Sequence, residues 1–312
     1  MSPDNFVRAA SDTEFTRVVN ENGFGRFFHN RDVTPIDHQP VTYPGRDTLY
    51  SAAVFDLQAA PVTITLPEVG DRFMSMQVIS EDEYVIDMFY GAGAHTLTRN
   101  DVGTRYAMVV VRILSDPKNL IDLAAGRDLQ DRITSQQDNS GIFEVPRWDS
   151  DSQKKVTDAL ITLAETIPDT TAMFGTPKDT DPVRHLIGAA LAWGSSPERD
   201  TIQLNVIPLR NDGRTVYRLS AKDVPVEGFW SISVYNKNGY FAPNPQQDYA
   251  VNNLTATKAP DGSVTVQFGG CTAGIDNCLP TTPDWSYLVR LYRPEAAIRS
   301  GDWTFPESAP VS

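Results

Sequence analysis

Cysteine, histidine and positive charge are all scarce in this 312-residue chain, which has two cysteines, four histidines and 27 Lys and Arg against 40 Asp and Glu. The histidines His29, His38, His95 and His185 lie far apart in unlike contexts. A metal centre needs several such donors to converge, and Asp37-His38 near Asp47 could supply a pair at most, so no metal and no cofactor are expected. Cys271 and Cys278 enclose only Thr-Ala-Gly-Ile-Asp-Asn. A local disulfide made in an oxidising compartment and a reduced pair fit that spacing equally. The net charge of −13 repels nucleic acid and anionic membranes at long range and suits a neutral or cationic small ligand better. No apolar run is long enough to span a bilayer, which excludes a transmembrane helix. The N-terminus lacks the basic and hydrophobic regions of a signal peptide, so the chain reads as cytoplasmic, or as secreted or periplasmic if a leader has been removed.

Catalytic signatures are missing as well. There is no Gly-x-Ser-x-Gly elbow, no His-Glu-x-x-His, no phosphate loop with Gly-Lys-Ser or Gly-Lys-Thr and no Cys-x-x-Cys. Gly91-Ala92-Gly93-Ala94 lacks both a third glycine and a surrounding βαβ unit, so it reads as a loop between strands.

What the chain does have is material for many short strands joined by tight turns: 40% hydrophobic and 10% aromatic residues, with 22 prolines and 20 glycines. Strand patterns fall at Thr48–Leu57, Val62–Leu66, Arg72–Ile79, Tyr84–Tyr90 and Arg105–Leu114, the last apolar enough to be central. They resume at Thr201–Pro208, Thr215–Ser220, Gly228–Tyr235, Asp248–Asn252, Ser263–Phe268 and Ser286–Tyr292, with hairpin signals at Asn211-Asp212-Gly213 and Asp261-Gly262. Helical spacing marks Ser11–Asn22, with Ser11 or Asp12 as cap, then the region after Asp116, Ser150–Ile167 and Arg184–Trp193. The expectation is an all-β protein with helical connectors, built as two tandem jelly-roll-like β-barrel or sandwich domains. Its divisions would be a helical segment 1–30, a first β domain 31–115, a helical connector 116–200 and a second β domain 201–312.

Pro44-Gly45-Arg46-Asp47-Thr48-Leu49-Tyr50-Ser51, with Asp56-Leu57 and Arg72-Phe73, resembles the family known as domain of unknown function 1254. Gly228-Phe229-Trp230-Ser231, Tyr235, Gly239-Tyr240, Asn244-Pro245, Asp261-Gly262-Ser263, Asn277-Cys278-Leu279-Pro280 and Arg290-Leu291-Tyr292-Arg293-Pro294 resemble its usual companion, domain of unknown function 1214. Gly45-Arg46 stands where the first family tends to carry asparagine, and Cys278 where the second often has tryptophan. The resemblance implies tandem β-barrel or jelly-roll-like domains and often a homo-oligomer. It brings no established activity and no catalytic residue set.

Candidate sites therefore rest on residue chemistry. Arg112 and Arg290 sit inside apolar strands, and a guanidinium there must meet carboxylates, carbonyls or a ligand anion. Asp47, Asp56 and Asp87 are the partners by type, and a structural ion pair or a side chain reaching to the strand edge is the plainer account. Tyr43, Arg46, Asp47 and Tyr50 occupy a loop-to-strand junction, where functional groups tend to be placed. Asp47 or Asp87 would be the acid or base if the protein hydrolyses anything, and Asp87 would have a raised pKa should its strand face be buried. Asp82-Glu83 reads as a solvated turn. The first expectation is a small-molecule or carbohydrate binder, or a hydrolase with acid and base carboxyls, that uses Tyr43, Arg46, Tyr50, Arg112 and Arg290. The second is a non-catalytic assembly protein whose arm, with Tyr240, Phe241 and Asn244, reaches across a subunit boundary.

Overall fold

In the computed structural model, which describes residues 1–39 and 41–311, the chain forms two compact units, each discontinuous in sequence. The first comprises Met1–Arg31, Leu49–Leu114 and Ala124–Glu198; the second comprises Asp32–Thr48, Ser115–Leu123 and Arg199–Ser312.

The elements leading into and through the first unit are α1 (Phe6–Asn20), β1 (Phe28–Asn30), β2 (Thr48–Asp56), β3 (Val62–Leu66), β4 (Met74–Ser80), β5 (Val85–Tyr90), β6 (Gly93–Leu97), α2 (Arg99–Val102), β7 (Tyr106–Leu114), α3 (Leu120–Asp131), β8 (Thr134–Gln137), α4 (Ser150–Ala164) and α5 (Pro182–Ala192). Five strands in the order β1-β2-β7-β4-β5 make one sheet, and β6-β3-β8 make a second. Alternation on β2 and β7 turns Ala53, Phe55, Val109 and Val111 inward to meet Val62, Ile64 and Leu66 of the smaller sheet. The other face of the large sheet carries Val54, Ile79 and Met108 against Phe15 and Val18 of α1. Strand β4 is therefore buried along its whole length, as a strand covered on both faces must be.

The second unit holds β9 (Thr201–Val206), β10 (Tyr217–Ala221), β11 (Trp230–Tyr235), β12 (Ala250–Asn252), β13 (Val264–Phe268), β14 (Cys278–Leu279), β15 (Ser286–Tyr292), α6 (Ala296–Arg299) and β16 (Ala309–Pro310). They form two four-stranded sheets, β12-β11-β15-β9 and β14-β13-β10-β16. One core, including Trp230, Ile232, Val266, Phe268, Trp285 and Tyr287, joins them. The chain is thus mainly β with helical connectors, as its pattern predicts. Of the two closures left open, the sandwich is the one with open sheets, and no closed barrel is found among the described residues.

Several local expectations change. The first helix begins at Phe6, because Ser2 caps a 3-10 turn, Pro3–Asn5, that feeds it. Ser11 and Asp12 are therefore buried in mid-helix, and their side chains bond to distant tryptophans in place of the helix end. Neither Asn211-Asp212-Gly213 nor Asp261-Gly262 makes a hairpin, since the strands on either side of each belong to different sheets. Strand β6 pairs with β3 from Gly93 to Leu97, where the glycines suggest only a loop. Its Gly93 sits at φ 141, a conformation glycine alone adopts freely.

Cys271 and Cys278 are joined in a disulfide that closes a seven-residue separation beside β13. Closing so short a loop removes unfolded-chain entropy worth about 2–3 kcal/mol. Replacing both cysteines with serine is expected to lower the unfolding free energy by about that amount, read by denaturant titration in oxidising buffer. The same titration on reduced wild-type protein should coincide with that of the variant.

Candidate functional site

The residues singled out by sequence gather in two places, one in each unit. In the second unit the organising group is Arg290, on β15 and 6% exposed. Its Nη2 donates to the Tyr43 carbonyl at 2.6 Å and to the Tyr235 hydroxyl at 3.0 Å, and its Nη1 donates to Ser233 Oγ at 3.3 Å. Tyr235 in turn donates to the Pro44 carbonyl at 2.7 Å. Burial works against the charge on Arg290, but Tyr235, Tyr292 and Asp47 more than offset it and raise its pKa above arginine's ordinary value. Burial also pushes the Tyr235 phenol up, against the opposing pull of Arg290, so Tyr235 keeps the proton it donates.

Asp47 is 3% exposed. Asn252 donates to its Oδ1 at 3.0 Å, while its Oδ2 is buried without a hydrogen-bond partner among the described residues. Arg46 donates to the Thr34 carbonyl and lies 5.2 Å from the centre of the Tyr249 ring. Burial draws its pKa below the usual arginine value. Tyr43 takes a positive φ of 50, its amide donates to the Gly239 carbonyl at 2.7 Å, and its ring packs edge-on to Tyr235. A Cβ on Gly239 would come within 3.1 Å of the Tyr43 ring, which explains a glycine at that turn beyond its φ of 79. Segment 32–48 is thereby fastened to its own unit by side chains whose donors are turned inward. Asp47 and Arg290 do not form a direct ion pair; the guanidinium takes carbonyl and hydroxyl oxygens instead.

The arm after β11 also folds onto its own unit. Phe241 is buried among Ile36, Tyr235, Tyr249 and Leu288, and the Asn244 side chain bonds the backbone of Ala242 and Asp248. Tyr240 is half-buried. Phe241 is apolar and finds an aromatic pocket within the unit. Beside this arm lies a shallow depression of about 320 Å³ lined by Asn236, Lys237, Asn238, Ala242 and Thr282–Asp284.

In the first unit Arg112 stands on the face of the large sheet opposite the main core. The cross-strand pairs Ser75 with Arg112 and with Tyr90, and Gln77 with Val110 and with Met88, put these side chains in two rows of one face. Val110, Arg112, Met88, Tyr90 and the neighbouring Tyr50 are all partly exposed, although most of the sheet around them is buried. Arg112 Nη1 donates to Gln77 Oε1 at 2.7 Å, and its guanidinium lies 5.5 Å from the centre of the Tyr50 ring. It pairs with no carboxylate among the described residues. Asp56 is taken by Arg105 at 2.8 Å; burial opposes the Asp56 charge, but the Arg105 bonds hold its pKa below the usual carboxylate range. Asp87 is exposed, and its Oδ1 accepts from the Met88 amide at 2.8 Å. Asp87 pairs with buried Val78 but lies on β5, the edge strand of its sheet, and stays exposed there.

The turn between β4 and β5 is not the solvated one that its composition suggests. Glu83 is 1% exposed, not solvated, because a positive φ of 61 directs its side chain inward to accept from the Gly194 amide at 3.0 Å. Gln77, which carried no signal beyond its place in an apolar strand, is fully buried. Among the described residues no group of three or more His, Cys, Asp and Glu could hold a metal ion, and no helix is long and apolar enough to cross a membrane.

This architecture of two β-rich units with helical connectors is shared with solved structures. The VPA0106 protein of Vibrio parahaemolyticus superimposes with a TM-score of 0.73 at 15% identity, covering 99% of this chain and 98% of that one. An uncharacterized protein from Burkholderia cenocepacia does so with a TM-score of 0.53 at 12% identity, covering 98% and 86%. Residues 24–111 match the family described as Protein of unknown function (DUF1254), and residues 208–296 match Protein of unknown function (DUF1214), so the chain carries the two in tandem. No curated protein matches it.

Two outcomes follow from these environments. Asp47→Asn places an amide at a buried position where one carboxyl oxygen has no hydrogen-bond partner among the described residues, and is expected to destabilise the second unit by about 1–3 kcal/mol, measured by urea unfolding. In the first unit Asp12 accepts from Trp148 Nε1 at 2.7 Å, and burial pushes its pKa up to about 6. A carboxyl whose pKa is higher folded than unfolded stabilises below its unfolded pKa, and loses that contribution as pH rises through the folded one. Stability should thus decline between about pH 4 and about pH 6, and Asp12→Asn should flatten that segment of the melting-temperature profile.

Proposed function

We propose that the first unit binds a small organic anion, with an aromatic or apolar body and a carboxylate head, on the face that carries Tyr50 and Arg112. The observation that carries this reading is the state of Arg112: a partly exposed guanidinium with an amide and an aromatic ring as its partners, and no carboxylate to neutralise it among the described residues. A guanidinium has five N–H donors in a fixed fork that matches a carboxylate in bidentate fashion. Gln77 engages one of its terminal nitrogens and fixes its orientation. Tyr50 lies under it, and Met88, Tyr90 and Val110 supply apolar surface beside it, so head and body have separate contacts.

The acidic composition favours a neutral or cationic ligand at long range. At physiological ionic strength that field is screened within about 8 Å, so the local cation governs a ligand seated on the sheet. Tyr43, Arg46, Asp47 and Arg290 serve in this reading as the internal fastening of the second unit. The arrangement supports binding.

A panel of small aromatic carboxylates, each paired with its neutral alcohol, tests the proposal by thermal shift and titration calorimetry. The carboxylates should raise the melting temperature and the alcohols should not. Arg112→Gln should weaken carboxylate binding by tenfold or more, since hydrogen bonds to charged groups are worth ~1.5–3 kcal/mol, and should leave unfolding in the absence of ligand nearly unchanged. Equal shifts from acid and alcohol, or full binding by the variant, would sink the reading.

A further inference from the structure

A continuous chain of hydrogen bonds runs from Arg112 into the interior of the first unit. Arg112 donates to Gln77 Oε1, and Gln77 Nε2 donates to the carbonyls of Gly194 at 3.0 Å and Ser195 at 3.4 Å. The Gly194 amide donates at 3.0 Å to Glu83 Oε1. The other carboxyl oxygen of Glu83 is buried with no hydrogen-bond partner among the described residues. We propose that Gln77 and Glu83 are positioning residues for Arg112, and that the proton on Glu83 controls how firmly the first unit holds an anionic ligand. This rests on the reading of Arg112 as the carboxylate contact and adds its regulation.

The physical reason lies in the two states of Glu83. As a neutral acid it fits a fully buried site and still accepts the Gly194 amide. As an anion it has one backbone N–H to compensate its charge, far less than a buried carboxylate requires. The ionised side chain gains by turning toward water, which frees the Gly194 amide and loosens the two carbonyls that hold Gln77. Arg112 then loses its fixed orientation. An added negative charge near the sheet face also disfavours an incoming anion, so both effects have the same sign. Burial pushes the Glu83 pKa well above the ordinary glutamate value, with the Gly194 bond opposing, which moves this transition toward neutral pH.

Other charged or titratable groups border the turn. Glu81 accepts from the Tyr106 amide, and Asp82 pairs with Arg8 of α1. Asp12 of α1 interacts with Glu81, and His185 of α5 meets the Asp82 carbonyl at 2.9 Å and stacks on Tyr84. Their titration must be separated from that of Glu83, and the isostere Glu83→Gln does so because it leaves all of them in place.

The test uses benzoate as probe with full-length wild type, Glu83→Gln and Gln77→Met, titrated calorimetrically from about pH 5 to about pH 8.5. Hydrogen-exchange protection at Gly194 and Ser195 is followed over the same range. Wild-type affinity should fall by fivefold or more as pH rises, Glu83→Gln should hold its low-pH affinity throughout, and Gln77→Met should bind weakly at every pH. Protection at Gly194 should fall with pH in wild type and not in Glu83→Gln. A Glu83→Gln affinity profile that tracks wild type overturns the proposal, as does Gly194 protection with the same pH response in both. Absence of benzoate binding at any pH, with Gly194 protection still governed by Glu83, overturns the anion reading and the ligand control together, and so separates that failure from failure of the hydrogen-bond chain.

Discussion

A single buried cation organises the second unit. Arg290 is placed in mid-strand by the pairing of β15 with β11 and β9, and a guanidinium cannot rest there without oxygen atoms around it. The carbonyl of Tyr43 and the hydroxyl of Tyr235 satisfy it, and Tyr235 passes the constraint on to the Pro44 carbonyl. Segment 32–48 is far from β15 in sequence, and this polar network attaches it together with apolar contacts of Ile36 and Tyr43. Removing one member leaves several buried groups unsatisfied at once, and for that reason the cluster reads as architecture.

The first unit meets the same problem in a different way. Its buried polar groups, Gln77, Glu83 and the backbone at Gly194, form a line that ends on Arg112 at a partly open sheet face. One arginine is enclosed and bonded to three oxygens, while the other is held from behind and presented outward. Both arise from a charged residue inside an apolar strand, yet their chemistry diverges because one strand face is sealed and the other is not.

Much of the strand and helix pattern was legible in the chain, since alternation on Val62–Leu66, the aromatic and aliphatic run of Ser286–Tyr292 and helical spacing on Ser150–Ala164 are strong local signals. Short strands made of polar or glycine-rich residues, such as Thr134–Gln137 and Gly93–Leu97, were not, because their pairing partners are distant and their own sequence says loop. Of the candidate residues, Arg112 and Arg290 stood out as charges in apolar runs. The role of Glu83 was hidden, because a turn carrying Glu81, Asp82 and Glu83 looks solvated until backbone φ shows which side chain points inward.

By itself the sequence determined the β-rich class, the absence of an apolar run able to cross a bilayer as a helix, and the presence of two arginines that had to find partners. These follow from composition and from periodicities of a few residues, which are local properties. The tertiary structure decided which partners those arginines found, that Asp47 and Glu83 are buried, and that segment 32–48 belongs with residues more than 150 positions away. Those outcomes depend on contacts between remote parts of the chain and on the direction of single side chains, and neither leaves a periodic trace in the order of residues.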